Sequence, residues 1–457
     1  MVDSTKLTLI SSFDKEGKAS LLRHLLENEV GLKVGVVAGN AIDDALVSIM
    51  AGSKQDIVEL PNGCACCAAA GECLQGIRDL MELSQQRGAL WDHIFVDLSG
   101  RAPRQAYDML CNAASEPSTL AGAKLHTMVA LVDASTFVEE FDKRNQLHER
   151  PDLSAVFGLG NRNRYVIDLM CEQIECSDVL VLNKAELVQS QREITLVKQV
   201  ISALNAKAQV CTSENGQVEY INVIAMPEGD GVANEDPANR HTQSVEALEA
   251  VHPSTHDDGV TSDGHRRAGA NSRPKPMMAH GTCVGTGTSH ADDAWVTSFC
   301  YQRRVPFHPF RLKDAIRGLP VRLDKLALSK AVNRDQADYA VALDGRSPLC
   351  CLIRSKGFVW LSNSHTQMFY WTHAGKYFEI KHHATWWAAH PRSEWPTHEQ
   401  ETIEQGFEGE MGDRRQELIF IGVNMDVAAL TKLLDDCLLT AAEMADYRKR
   451  ATEKSGA

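Results

Sequence analysis

The chain has 457 residues, more than one hydrophobic core usually serves, so two domains plus connecting sequence are expected. With 61 acidic against 47 basic residues its formal net charge is -14, which sets the surface against nucleic acid and anionic lipid, because nothing offsets repulsion from phosphates. The opening MVDSTKLTLISS has no basic region leading into a long apolar core, and no run of about 18 apolar residues occurs, so a soluble cytoplasmic protein with no membrane partner is expected. Thirteen cysteines, an odd number without the spacing of a small disulfide scaffold, predict mostly reduced thiols.

The first predicted strand, LTLIS (7–11), runs into SFDKEGKASLLRHLL. Gly17-Lys18 then stands after a strand and opens a helix, the context in which helix N-terminal amides and a Lys ammonium meet phosphate oxygens. The loop is degenerate: Ser12 holds the place of the first glycine, and Ala19 follows Lys18 where a Mg²⁺-binding hydroxyl belongs, leaving Ser20 one position further on.

Next come the strands KVGVVAG (33–39) and DIVEL (56–60), the second leading into ELPNGCACCAAAGEC. Cys64, Cys66 and Cys67 place three thiols within four residues behind the Asn62-Gly63 turn. Thiolates bind soft or borderline cations such as Zn²⁺ and Cu⁺, and tetrahedral zinc then needs one further ligand. Buried inert cysteines or a redox pair are the plainer alternatives.

The helix pattern ECLQGIRDLMELSQQRG precedes HIFVDLSG (93–100), where Asp97 ends a strand before Ser99-Gly100. Such an acid holds Mg²⁺ through water and reports on the γ-phosphate, though a strand-ending acid is also a routine turn residue. TMVALVDA (127–134) and DVLVLNKAEL (178–187) follow, the latter ending in Asn183-Lys184-Ala185-Glu186. That is where a guanine-reading Asn-Lys-x-Asp sits, with the Glu186 carboxylate one methylene further out. Continuous apolar strands alternating with helices predict a mostly parallel α/β sheet of P-loop NTPase type, covered on both faces, over residues 1–226.

From 227 to 293 the sequence is rich in Gly, Pro, Ser and Asp and poor in large apolar residues, which predicts a linker or long loop. Its histidines (His241, His252, His256, His265, His280, His290) read as polar filler. Alternation resumes in PLCCLIRSKGFVWLS, MFYWTHAGKYFEI and QELIFIGVNM, followed by the helix DVAALTKLLDDCLL, so 294–445 is expected to form a smaller α+β domain. Cys350-Cys351 falls in an apolar strand pattern and reads as core; His382-His383 reads as an ordinary polar strand end.

Taken in order, SSFDKEGKASLLRHLL, IVELPNGCACC, HIFVDLSGRAPR, LVDASTFVEEF, DVLVLNKAELV and the C-terminal RSKGFVWLS and GDRRQELIFIG resemble the CobW family of metal-handling P-loop GTPases, most specifically in the Gly-Cys-x-Cys-Cys loop, Gly63 to Cys67. The resemblance implies a GTP-binding protein that couples nucleotide binding and hydrolysis to metal insertion into a client metalloprotein. It implies Gly17, Lys18 and Ser20 on the phosphate loop, Asp97 and Gly100 in the Walker B and switch region, and Asn183, Lys184 and Glu186 at the guanine. It further implies catalytic roles for Lys18 and for Asp97, and zinc, cobalt or iron at Cys64, Cys66 and Cys67.

The sequence departs from the family at Ala19, where Thr would ligate Mg²⁺, and at AGNAIDDAL, which keeps Asn40 and Asp43 or Asp44 but lacks the first-switch glutamates. Losing these weakens Mg²⁺-dependent hydrolysis more than nucleotide binding, since phosphoryl transfer depends on the metal to offset developing charge. A weak GTPase and a catalytically dead pseudo-GTPase scaffold that holds a client are the two alternatives this leaves.

Overall fold

The structure is a computed structural model and describes residues 4–27, 32–38, 57–59, 70–98, 110, 113, 120, 122–154, 162–213, 217–218, 223, 283–285, 295–323, 325–332, 346–397 and 400–455. Seven strands form the first sheet: β1 (Lys6–Ser12), β2 (Val34–Ala38), β3 (Ile57–Glu59), β4 (His93–Asp97), β5 (Lys124–Asp133), β6 (Val179–Asn183) and β7 (Gln209–Thr212). Their order is β3-β2-β4-β1-β5-β6-β7, and every pairing is parallel. Runs such as VLVLN in β6 are apolar on both sides because helices cover both faces.

Alternation along the strands sorts the core into two layers. Leu21, Leu22, Leu25 and Leu26 of helix α1 (Lys15–Glu27) bury against Ile10, Phe95, Val129 and Val181. On the opposite face Cys73, Ile77, Leu80 and Met81 of α2 (Ala70–Arg87) meet Leu7, Leu9, Ile94 and Val96. Each fully buried Leu, Ile or Val contributes about 1.5–3 kcal/mol, so register is held by the pattern itself.

Further along that second face, α3 (Phe137–Asp142), α4 (Val166–Glu175) and α5 (Gln191–Leu204) join a cluster that also contains Ile353, Ala374, Ile419 and Ile421 from the C-terminal domain. That domain is a six-stranded antiparallel sheet of β8 (Cys283–Gly285), β9 (Val296–Arg303), β10 (Leu352–Val359), β11 (Gln367–Ala374), β12 (Tyr377–Thr385) and β13 (Gln416–Val423), ordered β12-β11-β10-β13-β9-β8. It carries the short α6 (Ala327–Val332) and ends in α7 (Val427–Asp435) and α8 (Ala441–Ser455).

The two domains share more than apolar surface. Asp142 of α3 accepts hydrogen bonds from the Leu326 amide at 2.7 Å and the Ser329 hydroxyl at 2.5 Å. Gln199 of α5 accepts from the Trp295 amide at 3.1 Å, and Tyr165 stacks on Tyr377 with ring centroids 4.4 Å apart. At the β11–β12 turn Gly375 has φ +53°, and a Cβ there would lie 2.5 Å from the Phe141 carbonyl of α3, so only glycine allows this approach.

Three sequence expectations change. Residues 283–285, inside the expected linker, form β8 and pair with β9; the rest of 227–293 lies outside the described residues. The C-terminal domain runs past 445, because α8 continues to Ser455 and buries Met444 and Tyr447 beside Trp360 and Trp386. Helix α1 starts at Lys15, three residues before Lys18. Cys350 and Cys351 are buried as core residues, as expected, though on the single 3-10 turn Pro348–Cys351 that leads into β10 and not within the strand, and no helix among the described residues is long and apolar enough to cross a membrane.

Candidate functional site

The carboxyl ends of β1, β4, β5 and β6 converge at one edge of the parallel sheet, where ligands of open α/β sheets bind. Only Phe13 and Asp14 separate β1 from α1. Ser12 makes this possible: its hydroxyl donates to the Asp14 carbonyl at 3.0 Å and accepts from the Asp14 amide at 2.9 Å, locking a tight turn where a glycine-rich loop would stay open. Asp14 then caps the helix, its Oδ1 accepting from the Gly17 amide at 3.1 Å and its carbonyl from the Lys18 amide at 3.1 Å.

Gly17-Lys18 therefore lies within the first turn of α1 and does not open the helix. Lys18 Nζ sits 2.5 Å from Asp97 Oδ1, both side chains less than a tenth exposed. Strand register explains the meeting, since Ile10 of β1 pairs with Asp97 at the end of β4.

On the other side of β1, Asp133 ends β5 in register with Asn183 at the end of β6. Lys184 follows in a left-handed conformation, φ 57°, which swings its side chain back over the sheet edge. Its Nζ lies 2.8 Å from Asp14 Oδ2 and 2.9 Å from Asp133 Oδ2. Burial alone would lower the Lys184 pKa, but hydrogen bonds to Asp14 and Asp133 outweigh it and hold the ammonium above its usual range. Asn183 Oδ1 accepts from the Ser213 hydroxyl at 2.7 Å while its Nδ2 donates to Asp14 Oδ2 at 3.4 Å.

Of the residues expected at the site, Lys18, Gly17 and Asp97 thus form one group and Asn183 and Lys184 a second, and Asp14 joins them. Glu186 is exposed on the single turn Ala185–Leu187, and Ala19 and Ser20 are half-buried on α1. Gly100, Asn40, Asp43, Asp44 and the thiol trio Cys64, Cys66 and Cys67 lie outside the described residues; β3 and α2 bracket the cysteine loop in sequence. Asp14 and Asp133 were not singled out from sequence. A strand-ending acid in LVDAST and an acid three residues before Gly17 are the signals that point to them.

A nucleotide and its Mg²⁺ fit this edge unequally. Asn183 and Glu186 are the donor–acceptor types that read a base edge. A Mg²⁺ shell is not assembled among the described residues: Ala19 offers no oxygen and Asp97 holds Lys18. For phosphate, the Gly17 amide already faces the Asp14 carboxylate.

The parallel sheet, the strand–turn–helix bearing Lys18 and the Asp97 partner on the neighbouring strand define a P-loop NTPase-type protein. Residues 6–212 match the family described as CobW/HypB/UreG, nucleotide-binding domain, and residues 296–438 match the cobalamin synthesis protein cobW C-terminal domain. The chain belongs to the CobW family. It is 25% identical to the zinc-regulated GTPase metalloprotein activator 1 of Dictyostelium discoideum, over 96% of this chain and 80% of that one. It is 28% identical to a zinc chaperone CobW of Sinorhizobium sp, over 55% of this chain and 70% of that one. A crystal structure of Zn(II)-bound YjiA GTPase from E. coli aligns at 13% identity and a TM-score of 0.35, covering 96% of this chain and 100% of that one.

Proposed function

We propose that the protein is a metallochaperone or metalloenzyme activator: it binds a transition metal through Cys64, Cys66 and Cys67, holds guanine nucleotide at the sheet edge between Lys18 and Asn183-Lys184-Glu186, and delivers the metal to a client metalloprotein. The reading is supported above all by the convergence of Lys18, Asp97, Asn183 and Lys184 at one sheet edge of a chain that matches both CobW domains. Zinc is the metal of choice, since the relatives' names specify it and three thiolates suit it. Lys18 would meet phosphate oxygens and Glu186 the base.

A second reading, a nucleotide-responsive scaffold without turnover, is favoured by Ala19 in the Mg²⁺ position and by Asp14 at the helix cap. GTP turnover by the purified full chain with and without Zn²⁺, Co²⁺ and Fe²⁺, beside Lys18→Ala, separates the two. A metal-stimulated rate lost in the variant supports the GTPase; a rate equal to the variant's with binding retained supports the scaffold. Zinc stoichiometry unchanged on replacing all three cysteines by Ser would remove the metal assignment.

A further inference from the structure

We propose that Asp14 sets the nucleotide affinity of this site by acting as a tethered anion: its carboxylate occupies the phosphate position at the N-terminus of α1, and nucleotide phosphate enters by displacing it. The inference rests on the guanine-nucleotide reading above and adds a residue and a mode of regulation to it.

A phosphate oxygen at a helix N-terminus is held by first-turn amides, by a positive helix end and by nearby ammonium groups. Here one carboxylate collects all three. Asp14 Oδ1 takes the Gly17 amide at 3.1 Å, and Oδ2 takes the Lys184 ammonium at 2.8 Å and the Asn183 amide at 3.4 Å. Space is filled as well as charge. A Cβ added at Gly17 would run into Asp14 Oδ2 and lie 2.5 Å from Asn183 Nδ2, so the surface where a phosphate would rest against Gly17 is already in contact with these groups. The only other ammonium described at this edge, Lys18, is engaged by Asp97.

The charge balance points the same way. Among the ion-paired side chains described at this edge, Asp14, Asp97 and Asp133 outnumber Lys18 and Lys184, so an incoming polyphosphate finds both ammonium groups already countered until one carboxylate leaves. Asp14 is the one placed to leave. Lys184 also pairs with Asp133, at 2.9 Å, and so is not left without a counter-ion, and because Ser12 holds the Asp14 backbone, rotation about the Asp14 side-chain bonds suffices to turn the carboxylate out while the turn stays closed. The exchange is anion for anion on the same donors, which makes phosphate affinity low at rest and dependent on whatever draws Asp14 away.

Asp14→Asn tests this directly, because Asn caps helices as well as Asp does and the variant removes charge without removing the cap. Asp14→Gly, also tolerated at a cap, is the second variant, and thermal melts confirm that both fold. Probes are a fluorescent guanosine diphosphate and inorganic pyrophosphate, titrated into the full chain. Losing an internal competitor bonded to a charged group is expected to tighten both about tenfold or more. Equal or weaker binding by both variants, with wild-type binding abolished in Lys18→Ala, overturns the role of Asp14 and leaves the nucleotide reading standing. Absence of binding to every protein in the set overturns both.

Discussion

Arg354 on β10 and Glu175 at the end of α4 are 3.0 Å apart, 179 residues apart in sequence, with side chains only 6% and 13% exposed. Lys356 reaches the same carboxylate at 3.1 Å, and Arg354 also contacts Asp168 at 3.2 Å. This is the ionic clasp between the parallel sheet's helices and the C-terminal sheet. Burial pushes the Glu175 pKa up, but Arg354 and Lys356 more than reverse that and hold it down at about 2. Glu175→Gln leaves the buried Arg354 with only Asp168 and the partly buried Lys356 undercompensated, so a loss of about 3 kcal/mol is expected in urea unfolding at pH 7. Because the folded value lies below the ordinary 4.5, this contribution is full above that pH and fades as pH falls from 4.5 toward about 2. A variant as stable as wild type at pH 7 would show that the clasp adds nothing.

A second pH effect begins nearer neutrality. Burial, then Lys6 and His126, lower the His93 pKa to about 4 against an opposing pull from Asp92; burial and then Arg354 lower that of His373 to about 3. Both imidazoles are neutral in the folded chain, while unfolded histidine takes up a proton near 6.5. The unfolded state thus binds extra protons below that pH, and stability falls by up to about 1.4 kcal/mol per pH unit for each ring. His373→Phe is expected to reduce the slope of unfolding free energy between pH 6 and 5 by about one proton. An unchanged slope rules His373 out as a contributor.

The α/β sheet was legible because burial on both faces writes itself as runs like VLVLN, and helices between the strands imply parallel pairing; the order β3-β2-β4-β1-β5-β6-β7 was not legible, because nothing in the runs says which strands are neighbours. The clasp was not legible, since nothing in IRSKG marks Arg354 as buried; its partners lie on a helix from the other domain. At the site, Lys18 and Asp97 were each legible from motifs that follow or end a strand, but their ion pair was not, because it depends on β1 and β4 being neighbours in the sheet. Asp14 was not legible for a physical reason: in a glycine-rich phosphate loop the backbone makes the contacts, whereas here the Ser12 and Asp14 side chains close the loop with hydrogen bonds. The same bonds draw the start of α1 back to Lys15.

Gly17→Ala sets two effects against each other. Ala is favoured over Gly in a helix by at most about 1 kcal/mol, the interior value, which is an upper bound in the first turn where Gly17 lies. The new methyl would press into the Asp14 carboxylate and the Asn183 amide, contacts that hold the turn shut, and overpacking of this kind costs about 1–3 kcal/mol. A net loss of about 1 kcal/mol is therefore expected, and Asp14→Gly should relieve it in the double variant, because the carboxylate is the nearer obstacle. Additive effects of the two substitutions in chemical denaturation would contradict the contact.

Thiol chemistry separates the cysteines that pack from those expected to bind metal. Burial pushes the thiols of Cys73, Cys171 and Cys351 up to about 12, which at pH 8 leaves roughly one molecule in ten thousand as thiolate, the form that reacts. These three are expected to resist iodoacetamide in the native chain with or without zinc. A thiolate bound to Zn²⁺ shares its lone pairs with the cation and is a poorer nucleophile, so at Cys64, Cys66 and Cys67 alkylation is expected in chelator and suppressed by stoichiometric Zn²⁺, as read by peptide mass spectrometry. Protection has to fall on all three together, since removing one ligand of three from a tetrahedral site leaves too few to hold the ion. Zinc-independent alkylation of the trio would detach the metal from this loop, whatever the chain does with nucleotide.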